Sequence, residues 1–346
     1  MNLLIEQGAK GDSSLVLLRS KLRAVSRRMG FNDVKREQME LVCNEMVTNQ
    51  NKFAEGNGLV QIWEVDDPVP ALDLFAFDYG KGIPNIEIAL KDGFTTARTM
   101  GKGLGAISRL SSLHEFYSIP AENVMDSPWH GVAVWARFYR DHVTSPQLPH
   151  QAGCYNRAYQ DSPFNGDLLS VRACQDKTRW LHMDGLGHGR EAAEVVAGLG
   201  EILNEDMTIE GYIQVLNDRL RGGRGAVALI CEIENSTQTL KISGVGDMAA
   251  HLIVSGDKKT LSFSPGVLGH AHRTPEVSVL SFPSQALLIT ASDGLRRSMT
   301  LRTFPELWRL HPQMVALFLG QVMGRHNDDR SVFSIRLNQT SEENHD

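Results

Sequence analysis

Glycine-rich turns that carry an acid or a lysine fall in two separate sets along these 346 residues, and that division constrains the fold more than any other feature. Asp78-Tyr79-Gly80-Lys81-Gly82 and Gly101-Lys102-Gly103-Leu104-Gly105 lie in the first half. Asp184-Gly185-Leu186-Gly187-His188-Gly189, Ser292-Asp293-Gly294 and Asp328-Asp329-Arg330-Ser331 lie in the second. Between the sets runs DHVTSPQLPH, with two prolines and no hydrophobic periodicity, which reads as a short, stiff linker. A chain of this length is long for one core and sufficient for two. The sequence therefore predicts a domain over 1–140, a linker over 141–150, a second domain over 151–338 and a frayed tail over 339–346.

Composition narrows the class. With 42% hydrophobic and 22% charged residues the chain resembles ordinary globular protein, and no apolar run approaches the roughly 20 residues that span a bilayer. The amino terminus has no basic flank before an apolar stretch, so no signal peptide is expected and a cytoplasmic protein without membrane contact is. Cys43, Cys154, Cys174 and Cys231 show no CxxC spacing, which fits reduced thiols. Residues 1–140 hold 16 basic and 17 acidic side chains, and the remainder 19 and 24, so neither half has the footprint of a nucleic-acid binder. Homo-oligomerisation stays open.

The first half alternates helices and strands. Helices are predicted from a Ser13 or Ser14 cap to Gly30, over 33–54, near 86–90 and from Gly103, and strands over 59–65, 72–77, 115–119 and 131–139. That order predicts an α/β sandwich, with helices on one face of a mixed sheet. In the second half, strands are predicted over 168–172, 180–183, 225–233, 239–245, 249–254, 277–282, 286–291 and 332–337, with helices over 190–204, 209–220 and 304–323. This pattern points to antiparallel sheets packed face to face and flanked by helices.

Glu45 and Asn49 are four residues apart on the 33–54 helix and share one face. An amide oxygen there suits Mg²⁺ on nucleotide phosphates, and the carboxylate suits deprotonation of an attacking hydroxyl. Asp78 closes an apolar strand, where it can accept from an adenine amino group while Gly80 and Gly82 let the backbone approach the ring. Gly101, Gly103 and Gly105 supply amides for phosphates at a helix start. The stretches GFNDVKREQMELVCNEMVTN, FAFDYGKGIPNIEIALKDGFTT and GKGLGAISRL resemble the histidine-kinase-like (GHKL) ATPase superfamily, and within it the serine/threonine switch kinases of stressosomes and anti-sigma-factor pathways, over about residues 15–140. The resemblance implies ATP with Mg²⁺ as cofactor, Asn49 as Mg²⁺ ligand, Glu45 as catalytic base, Asp78 as adenine reader, and a lid of Gly101, Lys102, Gly103, Leu104 and Gly105. The last strand begins Gly131-Val132, where many relatives have Gly-Thr. His114, His130 and His142 are expected to be structural or at the surface.

In the second half, Asp167, Asp184, Asp293 and Asp328 each fall at a predicted strand edge. Two-metal phosphoester hydrolysis needs such hard carboxylate ligands, and Gly185 would remove a side chain from the metal's approach. FNGDLLSV, HMDGLGHGREAAEVV, GVGDMAAHLI, ITASDGL and NDDRSVFSI resemble, in family order, the bacterial (SpoIIE-like) branch of the PPM-type serine/threonine phosphatases over about residues 153–338. That resemblance implies an α-β-β-α sandwich and two Mn²⁺ or Mg²⁺ ions. Asp184 would bridge them, with Gly185 ligating through its carbonyl and Asp167, Asp293 and Asp328 completing the site. Asp329 is the alternative to Asp328. His188, beside the metal motif, is open between a surface role and contact with phosphate.

Together the resemblances imply a bifunctional partner-switching regulator that phosphorylates and dephosphorylates serine or threonine on STAS-domain proteins. The alternative is a phosphatase whose first domain binds nucleotide or a partner without transferring phosphate.

Overall fold

The computed structural model describes residues 1–66, 68–90, 103–123, 127–140, 149–296, 300–325 and 327–338. The expected linker, apart from Pro149 and His150, lies outside them, as do Gly101, Lys102, His142 and the 339–346 tail. The chain forms two compact units, one of Met1–Gln147 with Arg302–Leu310, the other of Leu148–Leu301 with His311–Asp346.

The first unit runs β1 (Asn2–Gly8), α1 (Asp12–Arg28), α2 (Asp33–Phe53), β2 (Gly58–Val65), β3 (Ala71–Asp78), α3 (Ile86–Leu90), α4 (Gly103–Leu110), β4 (Leu113–Ile119) and β5 (Gly131–Tyr139). Apolar residues of α1 and α2, among them Leu18, Leu22, Met39, Val42 and Met46, bury against Val60, Ile62, Leu72, Leu74, Val134 and Phe138 of the sheet. The Asn32 side chain caps α2 by accepting from Lys35 N–H at 2.7 Å, which starts the helix where the sequence predicts. By contrast α1 begins after Gly11 with no side-chain cap, because the Ser14 hydroxyl donates back to the Lys10 carbonyl instead. The sheet order is β1-β2-β3-β5-β4, and every neighbouring pair is antiparallel. The expected mixed sheet is thus corrected: β5 enters between β3 and β4 and opposes both, so no parallel pair arises.

The second unit runs β6 (His150–Arg157), β7 (Asp167–Cys174), β8 (Lys177–Gly185), α5 (Arg190–Val196), α6 (Ile209–Leu220), β9 (Ala226–Glu234), β10 (Thr239–Val245), β11 (Ala249–Val254), β12 (Asp257–Leu261), β13 (Ser278–Ser281), β14 (Leu287–Ala291), α7 (Pro312–Val322) and β15 (Arg330–Leu337). Two five-stranded antiparallel sheets result, β13-β10-β9-β8-β7 and β12-β11-β14-β15-β6. Trp180, Leu229, Cys231 and Leu240 from the first meet Ala250, Leu252, Leu288 and Phe333 from the second in one core. A further core joins Leu181, Met183, Ala228 and Ile230 to Ile202, Ile213, Leu216 and Leu220 on the helical side, while α7 covers β6 and β15. These layers are the α-β-β-α sandwich expected.

Two expected helices are interrupted. The 190–204 helix stops at Val196 because Gly198 turns left-handed at φ +73°, and the chain continues as a 3-10 turn, Leu199–Asn204. The 304–323 helix starts only at Pro312, which supplies the first turn while His311 caps Gln313 N–H at 3.1 Å.

Candidate functional site

In the first unit, α2 carries Glu45 and Asn49, both half-buried, to the start of α4. There Gly103 packs so closely that a Cβ would lie 2.8 Å from Glu45 Oε2 and 3.3 Å from Asn49 Nδ2. Gly103, Leu104 and Gly105 form the first turn of α4, with Gly105 buried and Leu104 against the helix–sheet core. Helix start, carboxylate and amide therefore meet at one place.

Asp78 ends β3 and is buried, and burial raises its carboxyl above the usual range. Gly80 N–H donates to its Oδ1 at 2.8 Å and Val132 N–H at 3.1 Å, while the Trp129 indole donates to its carbonyl at 2.8 Å. Oδ2 accepts no hydrogen bond among the described residues, so it is the oxygen open to an exocyclic amine. Because residue 132 makes its contact through the backbone amide, valine there leaves the arrangement intact. Gly131 is required: φ is +139°, and a Cβ would stand 2.2 Å from the Asp78 carbonyl oxygen. Gly80 and Gly82 also have a packing reason. Cβ atoms there would meet the Phe53 carbonyl at 2.9 Å and the Ile119 carbonyl at 2.5 Å, so these glycines fit the turn to α2 and β4. His130 holds the same turn, its Nδ1 2.8 Å from the Gly80 carbonyl. His114, tilted against Phe116, is partly buried and its basicity is lowered by burial.

In the second unit the predicted aspartates gather at one end of the sandwich. Asp167, opening β7, pairs in register with Asp184 near the end of β8. Asp293 follows β14 and Asp328 precedes β15. Burial raises the Asp184 carboxyl far above its ordinary range, and Asp167, Asp293, Asp328 and Asp329 raise it further. Asp167 is pushed up by burial and by Asp329 and Asp328, against the Ser331 and Ser292 hydroxyls, which hold it down. Asp328 is raised by burial, with His188 and Arg325 opposing. His188 thus borders the cluster, its ring 4.8 Å from Tyr159.

The geometry separates Asp328 from Asp329. Asp329 is buried, and its oxygens accept from Tyr159 N–H at 2.6 Å and Gly166 N–H at 2.7 Å. Asp328 is half-exposed and accepts from Asp329 N–H at 2.9 Å. Asp329 ties the turn before β7 to the start of β15, and Asp328 is left facing the other acids. Gly185 also has a packing reason, since a Cβ there would meet the Ala192 carbonyl of α5 at 2.8 Å. Gly294 and Gly166, to which sequence reasoning assigned no role, are needed for close approach: Cβ atoms would stand 1.9 Å from the Asp329 carbonyl and 3.0 Å from Asp329 Oδ2 respectively.

Among the described residues no three His, Cys, Asp or Glu groups converge tightly enough to enclose an ion. The donor set nevertheless fits a hard divalent cation. Its members are carboxylates whose proximity raises their proton affinity, and Asp167 Oδ1 is buried with no hydrogen-bond partner. Sequence reasoning assigned no role to His182, Thr290, Ser292 and Ser331, which hydrogen-bond beneath the aspartates.

No protein-family model matches the chain. Among solved structures it is similar to a stressosome protein at 25% identity, covering 55% of this chain and all of that one with a TM-score of 0.49. It is also similar to RsbX in complex with magnesium, at 19% identity over 56% of this chain and 98% of that one with a TM-score of 0.49. A third is the PP2C phosphatase domain with a regulatory fragment of SpoIIE from Bacillus subtilis, at 17% identity over 95% and 96% of the two chains with a TM-score of 0.48. Among curated proteins, the serine/threonine-protein kinase RsbT of Bacillus subtilis (strain 168) is 31% identical over 109 residues, 31% of this chain and 81% of RsbT. Through that match the chain belongs to the family of the serine/threonine-protein kinase RsbT.

Proposed function

We propose that the protein is a bifunctional partner-switching regulator in a bacterial stress or sigma-factor pathway, whose first unit phosphorylates and whose second dephosphorylates serine or threonine on STAS-domain proteins. What carries the reading is the joint placement of Glu45, Asn49 and Gly103 in a chain of the RsbT family that also bears the partly buried aspartate cluster of a phosphatase-like sandwich.

On the kinase side, Asp78 Oδ2 would receive the adenine amine, Asn49 would hold the Mg²⁺ of ATP, and the turn beginning at Gly103 would present backbone amides to phosphate. Glu45 takes the proton of the attacking hydroxyl. Gly101 and Lys102, the rest of the expected lid, lie outside the described residues. On the phosphatase side, Asp167, Asp184, Asp293, Asp328 and the Gly185 carbonyl would hold two Mn²⁺ or Mg²⁺ ions, which when bound supply a hydroxide nucleophile and polarise the phosphoryl group. Asp329 fixes the turn that presents Asp167. His188 borders the cluster, and its part there stays open between a surface role and contact with phosphate. Because simultaneous action on one residue would only consume ATP, net output follows whichever unit is better occupied.

The test is phosphate transfer from radiolabelled ATP to a STAS-domain protein and its release on adding Mn²⁺, with Glu45→Ala blocking the first step and Asp184→Ala the second. Transfer that survives Glu45→Ala overturns the kinase assignment. Release that survives Asp184→Ala overturns the phosphatase assignment.

A further inference from the structure

One buried imidazole links three of the four strands that deliver the aspartates. His182 lies on β8, two residues before Asp184, and is fully buried. Its Nδ1 is 2.9 Å from the Thr290 hydroxyl on β14, three residues before Asp293. Its Nε2 is 2.7 Å from the Ser331 hydroxyl on β15, three residues after Asp328. Ser331 in turn donates to Asp167 Oδ2 at 2.6 Å. The chain of contacts therefore crosses from one sheet to the other directly beneath the acids.

Proton accounting fixes the direction of each bond. A serine hydroxyl has one proton, and Ser331 gives it to the Asp167 carboxylate. His182 Nε2 must then donate to Ser331, and Nδ1 must accept from Thr290. Histidine, serine and aspartate in this order have the look of a nucleophilic triad, yet Ser331 is wholly buried and its proton points to the carboxylate, so no substrate reaches it. What the arrangement does is commit one oxygen of Asp167 and leave the other, Oδ1, buried without a partner.

We propose that His182 and Ser331 are positioning residues for the divalent cation site: His182 orients the Ser331 hydroxyl, which pins Asp167 Oδ2 so that Oδ1 is presented to the metal. The proposal rests on the phosphatase reading above. Partners of this kind, one bond removed from the ion, fix ligand orientation, and their loss typically costs 10–100-fold in metal affinity.

The full-length protein is titrated with Mn²⁺ alone, the free ion being followed by electron paramagnetic resonance, and thermal unfolding is recorded in parallel. Ser331→Ala should bind Mn²⁺ at least tenfold more weakly while unfolding cooperatively. Ser331→Thr, which keeps the hydroxyl, should stay within about threefold of the parent, a rescue that a purely packing role would not show. In the Mg²⁺-loaded protein, nitrogen-15 correlation spectra should show His182 as the Nε2–H tautomer. Parent-like Mn²⁺ affinity in Ser331→Ala, equal losses in the alanine and threonine variants, or an Nδ1–H tautomer each overturns the proposal. Asp184→Ala separates the two levels of inference. If it binds Mn²⁺ as well as the parent, the metal reading falls and takes this one with it; if it loses Mn²⁺ while Ser331→Ala does not, only the positioning role falls.

Discussion

Gly103 stands so close to Glu45 that a Cβ on the glycine would lie 2.8 Å from the Glu45 carboxylate oxygen Oε2. The obstacle is the far end of a flexible side chain, so Gly103→Ala should fold and displace Glu45 rather than α4. Displacing a base without removing the nucleotide's contacts lowers turnover more than affinity. Gly103→Ala is therefore expected to lower the phosphotransfer rate at least tenfold while ATP affinity changes less than threefold. Single-turnover kinetics beside calorimetric ATP binding checks this; an unchanged rate contradicts it.

Asp78→Asn tests the adenine contact in isolation. Oδ1 persists in the amide, so Gly80 and Val132 keep their acceptor and the turn should hold. The other atom becomes a donor facing a donor. Losing a charge-assisted bond worth about 1.5–3 kcal/mol predicts a ten- to hundredfold weaker ATP affinity with little change in melting temperature. Unaltered affinity by calorimetry would remove Asp78 from the nucleotide site.

Adjacent acids should behave oppositely. Asp329→Ala strips the buried Gly166 N–H and the partly buried Tyr159 N–H of their acceptor, at about 1–3 kcal/mol each, so a destabilisation of roughly 3 kcal/mol is expected. Asp328→Ala removes a half-exposed carboxylate from among like charges and should leave stability within about 1 kcal/mol while abolishing phosphatase activity. Denaturant unfolding of the two variants distinguishes the roles, and equal stabilities would contradict them.

Acid should destabilise the second unit through its buried histidines. Burial lowers His150 and His251 to about 4 each, with Lys258 adding to the effect at His251, whereas an unfolded histidine titrates near 6.5. Between those values the unfolded chain binds protons that the folded chain refuses, so stability is full above about pH 6.5 and falls as pH drops towards 4. At about 1.4 kcal/mol per pH unit of separation, His150 contributes at most about 3 kcal/mol to that loss. His150→Asn should flatten the profile in this window; parallel curves for parent and variant would show that another group governs it.

How far the sequence could be read depends on whether the deciding interaction is local. Apolar patterning located β2, β3, β5, β9 and β10 within a residue or two, and the helix expected over 33–54 matches α2 to within a residue. β12, Asp-Lys-Lys-Thr-Leu, and β6, whose sequence HQAGCYNR lacks an apolar run, are edge strands and gave no such signal. The acids were legible because they stand where strands end. Their supports were not: His182 meets Thr290 and Ser331 across 108 and 149 residues, and histidine, serine and threonine inside strands have no pattern of their own. The register of Asp328 and Asp329 likewise hinges on amides at 159 and 166, more than 160 residues away.

The central claim, that one chain adds and removes phosphate at separable sites, is tested most directly by the phosphorylation state of a STAS-domain protein incubated with ATP, Mg²⁺ and Mn²⁺. Phosphate-affinity electrophoresis compares the parent with Asn49→Ala and Asp293→Ala. The account predicts that Asn49→Ala leaves the substrate dephosphorylated, that Asp293→Ala lets phosphate accumulate, and that the parent lies between and moves with the ATP/ADP ratio. If a pre-phosphorylated substrate is hydrolysed normally by Asn49→Ala yet Asp293→Ala never accumulates phosphate, the first unit is a nucleotide-binding regulator and the bifunctional account is contradicted.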